Sequence, residues 1–282
     1  MHGADRRLVL GLHRSRHHRD NLTAALDLGI TALDTAAPYF GFRSHVALAE
    51  TAADLLPKFT LSTKVGFFPI GGGTEHSLDP VRLRLAVERA ARELGGEPDT
   101  VLLHNPERSL AGLSPADGHA LLGNACTALA GAARDGLCRT WGVASWDTRP
   151  LGMVRVEDLP SPDVLMVRAG FLVGIDLLDA TTVLRTAWQA GEIWGMSPFG
   201  GGHNRKVWED FDPRPFLRPP HDGLSRVQAA FRTAFHLPTA SAVAVGTDDP
   251  GHMAQLVQAL NAEVDTAIVS QYLRALHGHR QS

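Results

Sequence analysis

The sequence of 282 residues lacks the features that mark several classes of protein. It contains only two cysteines, Cys126 and Cys138, which cannot support a chain of this length as a disulfide and suit a reducing compartment as thiols. We therefore expect a cytoplasmic protein. Neither sign of charge dominates, since 27 Lys and Arg residues oppose 30 Asp and Glu residues for a net charge of −3. Without a basic excess, nucleic acid is not expected as a partner.

Long hydrophobic runs are also absent. The apolar run near the N-terminus, residues 8–12, is too short for the core of a signal peptide. No stretch approaches the roughly 18 apolar residues that a transmembrane helix needs. We therefore expect neither an export signal nor a membrane partner. With 44% hydrophobic and 20% charged residues, the composition is that of an ordinary globular protein with a substantial core.

The sequence does contain a regular alternation of two patterns. Short runs rich in Val, Ile and Leu alternate with longer segments whose apolar residues recur every three or four positions, as in buried strands and amphipathic helices. The clearest helix begins at Asp79 and Pro80 and ends at Gly95. The eight predicted strands are residues 7–12, 31–35, 60–65, 100–104, 140–145, 164–169, 193–197 and 241–246.

This alternation predicts the fold class. Strands that alternate with helices form parallel sheets through right-handed crossovers. Eight such pairs favour closure into a (β/α)8 TIM barrel, because an open doubly wound sheet more often has five or six strands. We predict an α/β protein in which residues 1–282 form one barrel domain. Residues 67–77 and 200–223 are long for connections, and we interpret them as loops that could cover a site at the C-terminal face.

Polar side chains interrupt the ends of three successive predicted strands, where a barrel enzyme has its site. Asp34 ends the second strand and Tyr39 follows it. Lys64 lies near the end of the third strand, and His104 ends the fourth. An ammonium beside a phenol favours the phenolate, and a carboxylate keeps that ammonium charged. The set is suited to donating a proton to a carbonyl oxygen, or to the reverse reaction.

Five short motifs, in order along the chain, resemble those of the aldo-keto reductase family. They are GITALDTAAPYFG, LSTKVG, VLLHNPE, GVAS and SPFGGG. The resemblance covers nearly the whole chain and implies a barrel reductase that acts on a small-molecule carbonyl substrate with NADPH or NADH. It also implies that Tyr39 is the general acid, tuned by Lys64 and Asp34. His104 would then orient the carbonyl.

The cofactor half of the family pattern is matched less well. Where the family holds the nicotinamide carboxamide with Ser-Asn and Gln, this chain has Ala144, Ser145 and Met166. Met196 replaces a tyrosine that stacks on the nicotinamide. Asp248 stands where the family places cations for the 2′-phosphate, which disfavours NADPH and makes NADH plausible if a nicotinamide cofactor binds. The residues expected to bind cofactor are Ser145, Met166, Ser197, Phe199, Gly200, Thr247, Asp248 and His252.

These departures leave two other functions open. A barrel that keeps the acid-base set without nicotinamide could catalyse a cofactor-independent elimination, isomerisation or hydration beside a carbonyl. A non-catalytic subunit related to the reductases is the third possibility. No metal is expected, because His13, His17 and His18 lie among arginines without the spacing of a ligand set, and we interpret this segment as a solvated loop. The sequence leaves the substrate and the oligomeric state open.

Overall fold

The computed structural model describes residues 6–201, 206–220 and 223–281. Its strands are β1 (Arg7–Gly11), β2 (Ala32–Asp34), β3 (Thr60–Val65), β4 (Phe67–Ile70), β5 (Gly73–His76), β6 (Thr100–His104), β7 (Thr140–Ser145), β8 (Val164–Arg168), β9 (Glu192–Met196) and β10 (Ala242–Val245). All except β4 and β5 form a closed parallel barrel, in which β10 pairs with β1. The barrel confirms the predicted α/β fold, a (β/α)8 TIM barrel.

Helices surround the barrel. They are α1 (Arg19–Asp27), α2 (Ser44–Ala52), α3 (Pro80–Leu94), α4 (Glu107–Leu110), α5 (Pro115–Arg134), α6 (Ile175–Trp188), α7 (Val207–Asp210), α8 (Arg226–Ala234), α9 (Pro250–Leu260) and α10 (Thr266–Gln281). Asp79 begins α3 as expected and caps it by accepting from a backbone amide, and Asp249 caps α9 in the same way. Of the helices in the described ranges, none is both long and apolar enough to cross a membrane.

Alternation along each strand separates the barrel interior from the layer beneath the helices. The interior is filled by one apolar cluster of small and large side chains, which consists of Val9, Leu102, Ala144, Val164, Met166, Trp194, Ala242 and Ala244. At the C-terminal ends of the strands, the side chains that continue this interior face line the open end of the barrel, which we call the mouth. Cys126 and Cys138 are buried free thiols beneath the helices.

The two long connections differ from the predicted loops. Residues 67–77 contain an antiparallel hairpin in which Phe67 of β4 is paired with His76 of β5, so the interpretation as an open loop was wrong. Gly72 makes the turn possible with a φ of 81°. In the second connection, Phe216 packs on Phe171 at 4.8 Å between ring centroids. Positions 202–205 and 221–222 of this connection lie outside the described residues.

Candidate functional site

Asp34 and Lys64 form a buried ion pair at the mouth. The Lys64 Nζ donates to Asp34 Oδ2 at 2.5 Å and to the Thr35 backbone oxygen at 2.9 Å. Asp34 Oδ1 accepts from Ser62 Oγ at 2.8 Å. Burial lowers the pKa of Lys64, but the Asp34 carboxylate and the Tyr39 phenol outweigh it and hold that pKa above its ordinary value. Lys64 is therefore a charged ammonium held in place by fixed acceptors.

Tyr39 lies on a helical turn that follows β2. Its hydroxyl is 3.4 Å from Lys64 Nζ, which lies 5.1 Å from the centre of the phenol ring. Burial raises the pKa of Tyr39 above its ordinary value, although the Lys64 ammonium acts in the opposite direction. The expectation of a net lowering by Lys64 was therefore wrong for the protein alone, because desolvation is the larger effect and Asp34 offsets part of the lysine charge. Tyr39 keeps its proton near neutral pH.

His104 ends β6 and faces Tyr39, with 6.2 Å between ring centroids in an edge-on arrangement. Burial holds the pKa of His104 well below its ordinary value, and the Lys64 ammonium lowers it further. The imidazole is therefore neutral and carries a single N–H. Its buried Nδ1 atom has no hydrogen-bond partner among the described residues. An unsatisfied buried ring atom beside a phenol indicates a place for a polar ligand atom.

The hairpin supports His104 from one side. Phe67 packs edge-on against the His104 ring at 4.9 Å, and His76 Nε2 donates to the His104 backbone oxygen over 2.7 Å. Arg108, at the start of the connection after β6, lies over the Phe67 ring at 5.5 Å. The hairpin thus forms an aromatic wall of the mouth, which the sequence showed only as a long connection containing two phenylalanines.

His13 is a site residue that the sequence analysis missed. Its ring lies 4.9 Å from that of Tyr39, edge to face. His13 and His18 are exposed, as expected for a solvated loop, but that interpretation was wrong for His17, which is 1% exposed and whose Nε2 is 2.7 Å from Ser44 Oγ. The alternation of side chains along a strand could have indicated His13. It lies two and four residues beyond Gly11 and Val9, so it continues the interior face of β1 past the end of the strand.

Two of the residues expected to bind cofactor are engaged within the protein. Ser145 is fully buried and donates its hydroxyl to Glu107 at 3.0 Å, and Glu107 also accepts from the Trp146 amide. The neighbouring Ala144 belongs to the interior cluster, so Ser145 lies on the opposite face of β7. Met166 is fully buried within the same interior cluster.

The other expected cofactor residues follow the last two barrel strands. Ser197 and Gly200 turn the chain after β9 with φ values of 55° and 61°, and Phe199 packs on Trp208. After β10, the Thr247 hydroxyl accepts from the Asp249 amide at 3.1 Å. His252 is an exposed residue of α9.

Asp248 lies where the loops after β1 and β10 meet, and its Oδ2 accepts from the Arg16 amide at 2.9 Å. The two loops enclose a cavity of about 460 Å³. Its lining consists of Arg14, Ser15, Arg16, His18, Asn21, Gly246, Thr247 and Asp248. Two guanidinium groups at one cavity are suited to phosphate groups, which prefer arginine partners.

Comparison with solved structures finds the same fold in several reductases. An aldo-keto reductase from Bacillus halodurans in its holo form has 19% identity and a TM-score of 0.71, covering 95% of this chain and 91% of that chain. A glycerol dehydrogenase from Gluconobacter oxydans has 17% identity and a TM-score of 0.69, with coverages of 95% and 90%. An aldo-keto reductase from Klebsiella pneumoniae in complex with NADPH has 17% identity and a TM-score of 0.67, again with coverages of 95% and 90%.

At such identities the structural likeness concerns the fold alone. Comparison with curated proteins finds no match. The sequence model of the Aldo/keto reductase family, however, matches residues 13–275, a span that contains Asp34, Tyr39, Lys64 and His104. This match confirms the resemblance that the five motifs indicated. The chain belongs to the Aldo/keto reductase family, a family of NAD(P)H-dependent carbonyl oxidoreductases.

Proposed function

We propose that this chain reduces an aldehyde or ketone with NADPH or NADH and that Tyr39 donates the proton. The observation that carries the proposal is the cluster at the mouth, where the Tyr39 hydroxyl lies 3.4 Å from the ammonium of the buried Lys64–Asp34 pair. Reduction of a carbonyl places negative charge on its oxygen, which needs both a proton and a nearby cation. These residues supply both.

The proton moves from Tyr39 because the protein favours the change of charge at that position. Before reaction, burial keeps the phenol protonated. As the substrate oxygen gains negative charge, it becomes a stronger base than the carbonyl it replaces and takes the phenol proton. The Lys64 ammonium stabilises the phenolate that is left, and Asp34 holds the ammonium in position.

His104 orients the substrate in this proposal. Its imidazole is neutral, so one ring nitrogen carries a proton and can donate it to the carbonyl oxygen in a hydrogen bond. The edge-on packing of Tyr39 and Phe67 fixes the plane of the ring. A neutral donor suits this role because a charged imidazolium would compete with Tyr39 as the acid.

The residues at the mouth fit a nicotinamide nucleotide, with fewer carboxamide contacts than the family pattern. A bound reduced nicotinamide supplies hydride to the carbonyl carbon. The unsatisfied Nδ1 of His104 fits the reacting end, and Arg14 and Arg16 at the cavity fit the phosphates. The loops that would hold the nucleotide contain Ser197, Phe199, Gly200, Thr247, Asp248 and His252. Met166 offers no amide, and the Ser145 hydroxyl is used by Glu107.

That deficit favours one second candidate, a cofactor-independent lyase, isomerase or dehydratase that uses the same acid. The specific observation is the Ser145–Glu107 hydrogen bond, which removes one polar group from the carboxamide position. Calorimetric titration with NADH and with NADPH separates the two functions. Micromolar binding of either nucleotide supports the reductase, and the absence of binding by both supports the second candidate. The same titrations measure which of the two nucleotides is preferred.

Replacing Tyr39 tests the acid directly. Tyr39→Phe should lower the rate of aldehyde reduction by about 10²- to 10⁴-fold, the usual contribution of a general acid, with nucleotide affinity unchanged. The rate is followed as the loss of reduced-nicotinamide absorbance with a panel of aldehydes. Tyr272→Phe is the matched control, because Tyr272 packs against Phe171 and Phe216 and should tolerate the change. Full activity of Tyr39→Phe would remove the proposed acid.

A further inference from the structure

Arg168 ends β8 on the face of the strand that lines the mouth. Val164 and Met166 belong to the interior cluster, and Arg168 continues their face towards the C-terminal end of the barrel. Its guanidinium carbon lies 5.1 Å from the centre of the Trp146 ring, which follows β7 and is 46% exposed. The placement therefore puts a cation and an aromatic face side by side at the open end of the barrel.

The guanidinium of Arg168 has donors to spare. It donates once, from Nη2 to the Leu172 backbone oxygen at 3.1 Å, out of five N–H groups. Throughout the described parts of the chain, no carboxylate lies within ion-pair distance of it. The Arg168 charge helps to lower the pKa of Asp147, but the largest cause of that lowering is the hydrogen bond from Arg149. Arg149 holds both Asp147 oxygens, at 2.8 and 2.6 Å.

The two carboxylates near this cation are engaged elsewhere, since Asp147 is held by Arg149 and Glu107 accepts from the Ser145 hydroxyl and the Trp146 and Asp147 amides. Lys64 is balanced by Asp34, and His104 is neutral. Arg108, which follows β6, adds an exposed cation over Phe67. A half-buried arginine without a carboxylate partner is costly unless a ligand supplies the negative charge.

We propose that Arg168 binds a carboxylate on the substrate, so that the enzyme acts on a short aldehyde or ketone that carries a carboxylate a few carbons from the carbonyl. The planar fork of the guanidinium can pair with both carboxylate oxygens, and Trp146 packs against the carbon chain between the two groups. The carboxylate only binds, since the carbonyl carbon gains hydride and its oxygen gains a proton. This inference rests on the proposed reductase function.

The first test compares two aldehydes of equal chain length, 4-oxobutanoate and butanal. The wild-type chain should have at least tenfold higher kcat/KM for 4-oxobutanoate. Arg168→Gln should lower that value by about 10- to 100-fold, the effect of losing a charge-assisted hydrogen bond, and change the value for butanal less than about threefold. Arg168→Lys should fall between them, because it keeps the charge without the fork. Arg185→Gln, on the exposed side of α6, is the matched control.

A second measurement does not depend on catalysis. Butanedioate, which cannot be reduced, is titrated into the wild-type, Arg168→Gln and Arg168→Lys chains by calorimetry, and NADPH is titrated into the same samples. We expect Arg168→Gln to weaken butanedioate binding at least tenfold and to leave NADPH binding unchanged. If no aldehyde is reduced but butanedioate binding depends on Arg168, the carboxylate site stands and the reductase proposal fails.

Three outcomes would overturn the inference. One is a wild-type preference for butanal. Another is unchanged butanedioate binding in both Arg168 variants. The third is weaker NADPH binding in Arg168→Gln with butanedioate binding intact, which would make Arg168 a cofactor contact that compensates for Met166. Thermal unfolding of each variant verifies that it is folded, and Arg168→Lys gives the answer should Arg168→Gln not fold.

Discussion

Lys64 and Asp34 bring opposite charges to within 2.5 Å of each other at positions where 2% and 4% of the residue surface remains exposed. Neither charge could persist there alone, because transferring an ion into the interior of a protein costs several kcal/mol. The pair is therefore a single unit, and its net charge is near zero. The ammonium acts on Tyr39 only over a short range, since Asp34 offsets it at longer distances.

Breaking this pair should be much more costly than breaking an exposed one. Asp34→Asn leaves the Lys64 ammonium buried without its counter-ion, and we expect the free energy of unfolding to fall by about 3–5 kcal/mol. Asp54→Asn removes the partner of Arg19 in an exposed pair of 2.6 Å and should have a much smaller effect, because solvent screens both charges. Urea denaturation compares the two variants. Similar losses in both would show that the buried charges are less dependent on each other than the geometry indicates.

Single residues also show how far the sequence could go. The meeting of Asp34, Tyr39, Lys64 and His104 at the mouth could be predicted, because their strands ended in polar residues and matched family motifs in order. The direction of the Tyr39 pKa could not, since it depends on the balance between burial and a lysine that is already paired. Arg168 was included only as part of a predicted strand, because the lack of a carboxylate partner is visible only when the neighbours are known.

At the scale of elements, the loop after β1 is tied to the segment after β2 by a buried chain of hydrogen bonds. His17, held at a φ of 57°, bonds through Nε2 to Ser44 Oγ at 2.7 Å. Ser44 Oγ is also 2.6 Å from Thr35 Oγ1, and the Thr35 backbone oxygen accepts from Lys64. The loop that contains His13 is thus anchored beside the turn that contains Tyr39.

Ser44→Ala tests this anchor. Loss of the hydroxyl leaves polar atoms of His17 and Thr35 buried without a partner, and we expect the free energy of unfolding to fall by about 1–3 kcal/mol. Ser270→Ala is the control, because Ser270 is exposed on α10 and bonds only to the Thr266 backbone oxygen. Chemical denaturation should resolve the difference. If the two variants are equally stable, the hydrogen-bond chain does not anchor the loop.

The accuracy of the element predictions follows from local physics. Helix α3 begins where predicted because an Asp cap is followed by proline, a signal that depends only on neighbouring residues and that α5 and α9 also carry as Ser or Asp before proline. The hairpin was missed because it lies outside the barrel alternation. Its strands have four residues each, and Pro69 within the first strand argued against a strand.

At the scale of the whole molecule, several histidines are buried in the neutral form. Burial, followed by the charges of Arg6 and Arg232, lowers the pKa of His236 from 6.5 to about 4. Burial also lowers the pKa values of His104, His45 and His17. In each case the unfolded chain binds a proton at a higher pH than the folded chain does. These histidines therefore do not make the free energy of unfolding depend on pH above 6.5, and they lower it as the pH falls below that value.

His236→Asn should make the protein less sensitive to acid. The wild-type free energy of unfolding should fall as the pH is lowered from 6.5 to about 4, and the His236 share of that loss should be about 1–2 kcal/mol, less than the full pKa shift corresponds to because solvent screens a partly buried side chain. The variant lacks the group and should lose less over the same range. His18→Asn, in an exposed position, is the control. Equal acid sensitivity of wild type and His236→Asn, measured by denaturation at several pH values, would contradict the assignment.

The overall architecture was the most predictable level. Eight predicted strands overlap the eight barrel strands, and no limit differs by more than one residue. The alternation of side chains along each strand, together with the order of the strands, then determines which residues meet at the mouth. What the sequence could not give is the packing of the long connections, because Phe211 and Phe216 reach Phe171 from far along the chain.

The filled interior also determines how molecules come and go. Leu102, Met166 and Trp194 seal the barrel axis below the mouth, with exposures of 0%, 0% and 6%. Ligands therefore have no passage along the barrel axis and reach the site from the mouth, which they share with any other ligand bound there. A ligand that lies deeper in the mouth and is covered by a second ligand would have to bind first and leave last.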